Sequence, residues 1–403
     1  MNTTEIFLVI LDAAIHNKPA VVLENEKCME CLAMAQAHNV LPLVFEKLCE
    51  REEFLALPAF EAYLGSVMGI VAAQAQRTDA FLNLYQGFLD AEIHPIVIKG
   101  IVCRQLYGEL CDHRPSGDED ILIRKADFEQ TRAVMEAQGF VPEREEITEN
   151  QLEELQEITF YQSSSGLTVE VHTNPIGKEN DILYRMNDCF QKVFDHPKKM
   201  TIDGTTVWTM NDTDHFLFLI LHTFKHMLGC GFGIRQVMDV LLYYERHELE
   251  IDIVYVMEML EKVRAKKFFS DLIHLGNQYL GFHFTPLEER HYVEELLAEM
   301  MKNGTFGNVT QAQQIAGTMT VISIECANRK TGAKWIRMIF PSQKKLMSGY
   351  PELLEKPWLL PICWVKRWIK FLRRKTENRG QWIVESIKIS ERRIELLKKY
   401  DVL

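Results

Sequence analysis

Two stretches decide the fold: Pro95-Ile96-Val97-Ile98-Lys99-Gly100, and Arg114-Pro115-Ser116-Gly117-Asp118-Glu119-Asp120-Ile121-Leu122-Ile123. The first is a short apolar run stopped by glycine and predicts a strand over 96–98. The second sets two carboxylates two residues apart at the mouth of another apolar run, predicting a strand over 119–123. Strand side chains alternate between faces, so Asp118 and Asp120 share one face and Glu119 takes the other. Two carboxylates on one face repel unless a cation lies between them. Hard oxygen ligands with room for water suit Mg²⁺, which is commonly shared with substrate phosphates. Such a pair needs a third partner from elsewhere. Leu167-Thr168-Val169-Glu170-Val171-His172 alternates in the same way and puts Glu170 and His172 on one face.

Working outward, residues 95 to about 205 carry strand periodicity broken by helices. Helices are expected over 101–108 and 126–138, then a charged segment from Glu143 to Glu157. A hairpin follows, with strands 158–162 and 167–172 around a Ser163-Ser164-Ser165-Gly166 turn. Strands interrupted by helices, with at least one hairpin, predict an α+β core with a small mixed sheet, not a doubly wound one. No Gly-x-Gly-x-x-Gly follows a strand, which argues against a dinucleotide fold. Both flanks read as helical, with a long helix from about Glu61 to Asp90. Beyond Asn211, helices fit 216–227 (capped by Thr213 or Asp212), 235–246, 252–281, 285–302 and 310–325. The expected organisation is an N-terminal helical region (1–92), a core (93–208), a helical domain (209–330) and a basic aromatic tail (331–403).

A chain of 403 residues exceeds one ordinary core. Its nine cysteines are scattered and odd in number, which suits buried thiols in a reducing cytoplasm. Cys28-Met29-Glu30-Cys31 has redox or zinc spacing, but no second pair follows it. No secretory signal is visible, and no run approaches the ~20 apolar residues of a membrane span, so a cytoplasmic chain is expected. The net charge of −12 is uneven: from Lys330 onward there are 18 Lys+Arg against 7 Asp+Glu, and before it 27 against 50. An acidic body argues against nucleic acid as the main ligand, because duplex binding rests on phosphate neutralisation.

Lys99-Gly100, the Arg-Pro-Ser-Gly-Asp-Glu-Asp-Ile-Leu-Ile run and the later Val-Glu-Val-His resemble the polymerase β-like nucleotidyltransferase superfamily. Within it the chain resembles the bacterial uncharacterised nucleotidyltransferase family. Ala37-His38-Asn39-Val40-Leu41-Pro42-Leu43 is similar to that family's N-terminal helical motif, and Gly233-Ile234-Arg235-Gln236-Val237-Met238-Asp239 to its helix after the core. Phe340-Pro341-Ser342 and Pro357-Trp358-Leu359-Leu360-Pro361 are similar to its tail. The resemblance implies attack of an acceptor hydroxyl or phosphate on the α-phosphate of a nucleoside triphosphate (NTP), with two Mg²⁺ ions clamping the reacting oxygens. It implies that Asp118 and Asp120 bind both ions and that Glu170 binds the one activating the nucleophile. The superfamily usually has Gly-Ser or Gly-Gly where this chain has Gly100-Ile101, which removes a hydroxyl donor. Lys99, Arg114 and Ser116 are the evident replacements at the phosphates, with Gly100 allowing close backbone approach.

His172 is read as an orienting group beside the ligands. Arg235 and Asp239 lie four apart on a helix face, so they are either a surface ion pair or cavity-lining residues. His222 and His226 share i, i+4 spacing and are read as facing the acidic site. The tail over 358–375 interleaves aromatics with cations, which fits a helix at an anionic lipid surface or one docked on the acidic body. The functional expectation is Mg²⁺-dependent nucleotidyl transfer to an unidentified acceptor. The alternative is a degenerate nucleotide-binding or membrane-peripheral scaffold.

Overall fold

A computed structural model of the chain describes residues 1–303, 316–323, 340–373 and 379–403, except positions 22, 59, 156, 179–180, 230, 318, 322 and 348. The architecture is α+β. Its seven-stranded mixed sheet contains β1 (Ile96–Val97), β2 (Glu119–Leu122), β3 (Val141–Pro142), β4 (Ile158–Gln162), β5 (Leu167–His172), β6 (Lys198–Ile202) and β7 (Thr205–Thr209). Their spatial order is β3-β4-β5-β2-β1-β7-β6. β2 runs parallel to β5 and antiparallel to β1, and β1 runs parallel to β7. β1 and β2 are buried along their whole length, whereas β5 beside them alternates between buried and half-buried positions over most of its length.

The β4–β5 hairpin has the expected register. The β6–β7 hairpin was not foreseen. Its turn is Asp203-Gly204, both in the left-handed region (φ 47° and 83°), the conformation a two-residue turn needs to match strand twist. The charged segment also contains a short helix, Glu149–Glu154, started by a reciprocal cap between Thr148 and Gln151. The helix expected over 252–281 is two, Ile253–Lys262 and Lys266–Tyr279, because Arg264 takes a left-handed φ of 60° between them. The cap of the Asp212–Leu228 helix is Asn211, whose side chain accepts from the Asp214 amide. Thr213 instead accepts from the Asp252 amide. The helix expected over 310–325 falls largely outside the described residues.

One apolar layer forms between the sheet and the end of the 31-residue Phe60–Asp90 helix, through Phe81, Leu84, Tyr85 and Phe88. Tyr85 pins this helix to two strands: its hydroxyl donates to Pro95 O (2.6 Å) and accepts from Trp208 N (2.8 Å). The larger apolar core joins the N-terminal helices Thr3–Ile15, Asn25–Ala37 and Leu41–Cys49 to the helices after the sheet. Cys28 and Cys31 sit in that core as free thiols, as do the other described cysteines in their own surroundings.

Candidate active site

Parallel pairing of β2 with β5 sets Asp120 opposite Glu170 and Leu122 opposite His172. The period of two then puts Asp120, Glu170 and His172 on one face. One potential ligand atom from each lies within 4.8 Å of the others. His172 Nε2 stands 3.0 Å from Asp120 Oδ1 and 3.7 Å from Glu170 Oε2. Lys99, at the exit of β1, brings its ammonium within 3.0 Å of Asp120 Oδ2. Burial alone would lower the Lys99 ammonium, but the charges of Asp120, Asp118 and Glu170 outweigh it and hold it above its usual value. Asp120 is held below the usual carboxylate range, because Lys99 and His172 outweigh the effect of burial. Glu170 goes the other way. Burial first, then Asp120, Glu157 and Asp118, push it up to about 9.

This donor set fits a divalent cation. Asp120 Oδ2 is buried and accepts no hydrogen bond of good geometry, the Lys99 contact being an ion pair only. Several carboxylates converging on one neutralising amine leave negative charge to be met. Asp118 precedes β2, is half-buried and lines the same cavity. It is not part of the 4.8 Å cluster, because no strand ladder fixes it there.

Gly100 lines the cavity in a conformation, φ 54° and ψ −115°, that side chains rarely adopt. A Cβ there would fall 1.9 Å from Glu119 Oε2. Glu119 points away from Asp120, as alternation requires, and is buried beneath the Gly100 turn. It accepts from the Ile101 amide (2.7 Å) and from Arg104 Nη1 (2.6 Å). The Ile101 amide is thereby committed to Glu119. Ser116 is tied into the same network: Arg104 Nη1 donates to its hydroxyl, which donates to Glu119 Oε1 (3.4 Å). Gln74 Oε1 accepts from its amide (2.8 Å). Ser116 lines the cavity, but its hydroxyl here braces the loop that carries Asp118.

Of the two readings of Arg235 and Asp239, the ion pair between them is not formed, and both line the cavity. Asp239 accepts from Arg114 in a bidentate pair and from the Tyr107 hydroxyl (2.9 Å), because the fold brings the loop before β2 against this helix. Arg235 donates to Pro115 O. Burial, then the nearby Arg114 charge, lower Arg235 to about 10. Arg114 Nη1 and Arg235 Nε are both buried and without a hydrogen-bond partner among the described residues. Both residues line the cavity, as does Asp239. Two guanidiniums with unspent donors are suited to an anion with several oxygens.

The opposite wall is the Asp212–Leu228 helix. His215 locks it to the sheet, with Nε2 2.9 Å from Ile98 O and Nδ1 3.2 Å from Thr209 Oγ1, and burial lowers it to about 4. About two and three turns further on, His222 and His226 face the cavity with their Nε2 atoms 3.1 Å apart. Burial, aided by nearby cations, holds both well below the usual range, so they are neutral. The cavity measures about 550 Å³. Its lining also includes Asn39, Glu157 and Lys225, none of which sequence reasoning singled out as site residues. Asn39 had a signal, since it lies in the Ala37–Leu43 motif and takes the left-handed φ of 54° that ends a helix. Lys225, one residue before His226, follows from the helix period once His222 and His226 face inward. Glu157 had no signal of its own.

A family model described as "Uncharacterised nucleotidyltransferase" matches residues 24–281, more than half of the chain. The chain belongs to the uncharacterised nucleotidyltransferase family. All ten residues expected at the site, from Lys99 to Asp239, lie inside the span shared with this nucleotidyltransferase family, and the basic tail lies outside it. No curated protein and no solved structure matches the chain.

Proposed function

We propose that this family member transfers the nucleotidyl group of an NTP to a hydroxyl or phosphate oxygen of an acceptor, in the manner of polymerase β-like enzymes. The bond from the α-phosphorus to the bridging oxygen breaks, the acceptor oxygen–phosphorus bond forms, and pyrophosphate leaves. The observation that carries this reading is the set Asp120, Glu170 and His172 in one cavity with the cations Lys99, Arg114 and Arg235. A cavity lined by both convergent carboxylates and cationic donors suits a metal-bound polyphosphate.

Asp120 and Glu170, with Asp118 from the neighbouring loop, would hold divalent ions, two Mg²⁺ by analogy with the superfamily. These supply charge neutralisation at the reacting phosphate and acidify the attacking oxygen. His172 orients Asp120 through Oδ1. Lys99 balances Asp120 while no other cation is present and, once one is, can turn its point charge to the phosphates. Arg114, held in place by Asp239 and Tyr107, and Arg235 offer donors to phosphate oxygens. With a cation held in the cluster Glu170 would be kept as the carboxylate, and in that form it could accept the acceptor's proton. Gly100, Glu119, Arg104 and Ser116 keep the two site-bearing turns in register.

The test is incubation of the chain, Mg²⁺ and a cell extract with α-labelled and, separately, γ-labelled NTPs. Label from the α but not the γ position in an acceptor supports nucleotidyl transfer. Label from the γ position alone would mean phosphoryl transfer instead. The Ile101 amide, committed to Glu119, favours the second reading, a nucleotide-binding chain without turnover. That reading predicts Mg²⁺-dependent NTP binding and no transferred label of either kind.

A further inference from the structure

The tail contains a feature that nucleotidyl transfer does not use. The Leu360–Arg373 helix carries apolar residues both against the chain and toward solvent. Its inner face is satisfied: Cys363 is buried with Leu346 and Leu353, Trp364 Nε1 donates to Pro341 O (2.9 Å), and the Phe340 ring lies 5.0 Å from that of Trp364. Among the described residues the outer face is left exposed. Trp358 is 70% exposed, Ile362 52%, Val365 50% and Ile369 42%. Ile362, Val365 and Ile369, three and four residues apart, make one stripe along the helix, and Trp358 is exposed in the turn that leads into it. Single exposed apolar residues are ordinary, but a stripe of three along one helix with an exposed Trp before it marks an interaction face.

We propose that this stripe docks the chain onto an anionic lipid surface, with the helix lying in the plane of the headgroups. Charge argues for lipid as the occupant. Between Lys356 and Lys375 the sequence has seven Lys and Arg residues and no Asp or Glu. Lys366 and Lys370 are exposed beside the stripe. Their long stems can lie along apolar surface while the ammonium groups reach phosphate oxygens. Trp358, in the turn before the stripe, is of a type enriched at headgroup depth. A second copy of the helix would set like charges face to face, which disfavours self-association. No helix of the described residues is long and apolar enough to cross a membrane, so contact is interfacial.

The experiment is co-sedimentation of the full chain with phosphatidylcholine vesicles, with or without phosphatidylserine, at low and high salt. The expected result is pelleting with the anionic vesicles, weakening as salt rises. Lys366→Gln/Lys370→Gln should reduce partitioning about 25-fold, at about fivefold per surface cation. Ile362→Glu/Ile369→Glu should abolish it. Both double variants change exposed positions and should keep the native circular dichroism. No pelleting at low salt with a natively folded chain would overturn the proposal, and so would pelleting that neither double variant changes. A dimer of the native chain that Ile362→Glu/Ile369→Glu converts to monomer, without vesicle binding by either, would assign the stripe to a second copy.

Discussion

Replacing Gly100 with alanine tests the geometry of the site most sharply. A Cβ at position 100 falls 1.9 Å from Glu119 Oε2 and 2.7 Å from its carboxyl carbon, at a φ of 54°. In an open site a carboxylate at the end of a side chain would swing aside cheaply. Glu119 cannot, because it is buried and holds both Arg104 and the Ile101 amide. Moving it leaves the buried Arg104 guanidinium without its counter-charge, a loss of about 3–5 kcal/mol. Strain at the backbone adds about 1–3 kcal/mol. A total near 5 kcal/mol or more is comparable to the entire stability of many domains, so Gly100→Ala should be recovered largely unfolded or aggregated. Gly117→Ala, in the adjacent turn, is the control: nothing lies within 4 Å of its added Cβ and its φ is ordinary. It should change stability by less than about 1 kcal/mol. Urea unfolding followed by circular dichroism measures both. If Gly100→Ala unfolds at the same midpoint as Gly117→Ala, Glu119 is not packed beneath the turn and the account of this loop is wrong.

Asp239→Asn leaves the buried Arg114 charge without its partner and should cost about 3 kcal/mol in the same unfolding assay. Arg235→Met loses only a main-chain carbonyl contact, so its main effect should be on ligand, with binding of a fluorescent NTP analogue weakened about tenfold. His215 and His38 are both held by burial at about 4, below the usual value near 6.5. The unfolded chain therefore takes up more protons between those values, and stability falls as pH drops from about 6.5 to about 4, by at most about 3 kcal/mol per histidine. Thermal melts across that range should show the decline, and a flat profile would contradict it. Cys28 is raised by burial and Cys31 is pushed up to about 12, again by burial first. Neither should react with a disulfide reagent at pH 8 until denaturant is added, which thiol titration followed by peptide mapping resolves.

The parts of the fold legible in the sequence were those governed by local period. The 158–172 hairpin was readable because its strands alternate and its turn is Ser- and Gly-rich, and the α+β class followed from it. That Asp120 and Glu170 each sit at a fixed phase of a strand was readable, but the parallel pairing of β2 with β5 that brings them together was not. The β6–β7 hairpin was missed although Asp203-Gly204 is a strong turn signal, because the flanking Lys-rich and Thr-rich runs are weakly apolar. Long-range partners were not legible at all. Arg114 and Asp239 are 125 residues apart, and the i, i+4 spacing of Arg235 with Asp239 suggested a nearer but different pair. The same holds for Ser116, where the sequence suggests a phosphate contact but cannot show that Arg104 and Glu119 bind its hydroxyl. It holds for Gly100 too, whose neighbour is a side chain from another strand.

The most direct test of the central claim compares transfer of α-label from NTP by the native chain with transfer by Asp118→Ala/Asp120→Ala, each with and without a chelator. Because Asp120→Ala also strips Lys99 of its partner, Asp120→Asn is run beside it and all chains are checked by circular dichroism. The account predicts acceptor labelling by the native chain with Mg²⁺, and background labelling with chelator or with either folded variant. Equal labelling by the native chain and a folded Asp120→Asn variant would contradict it, because the carboxylate at the centre of the site would then have no part in the reaction.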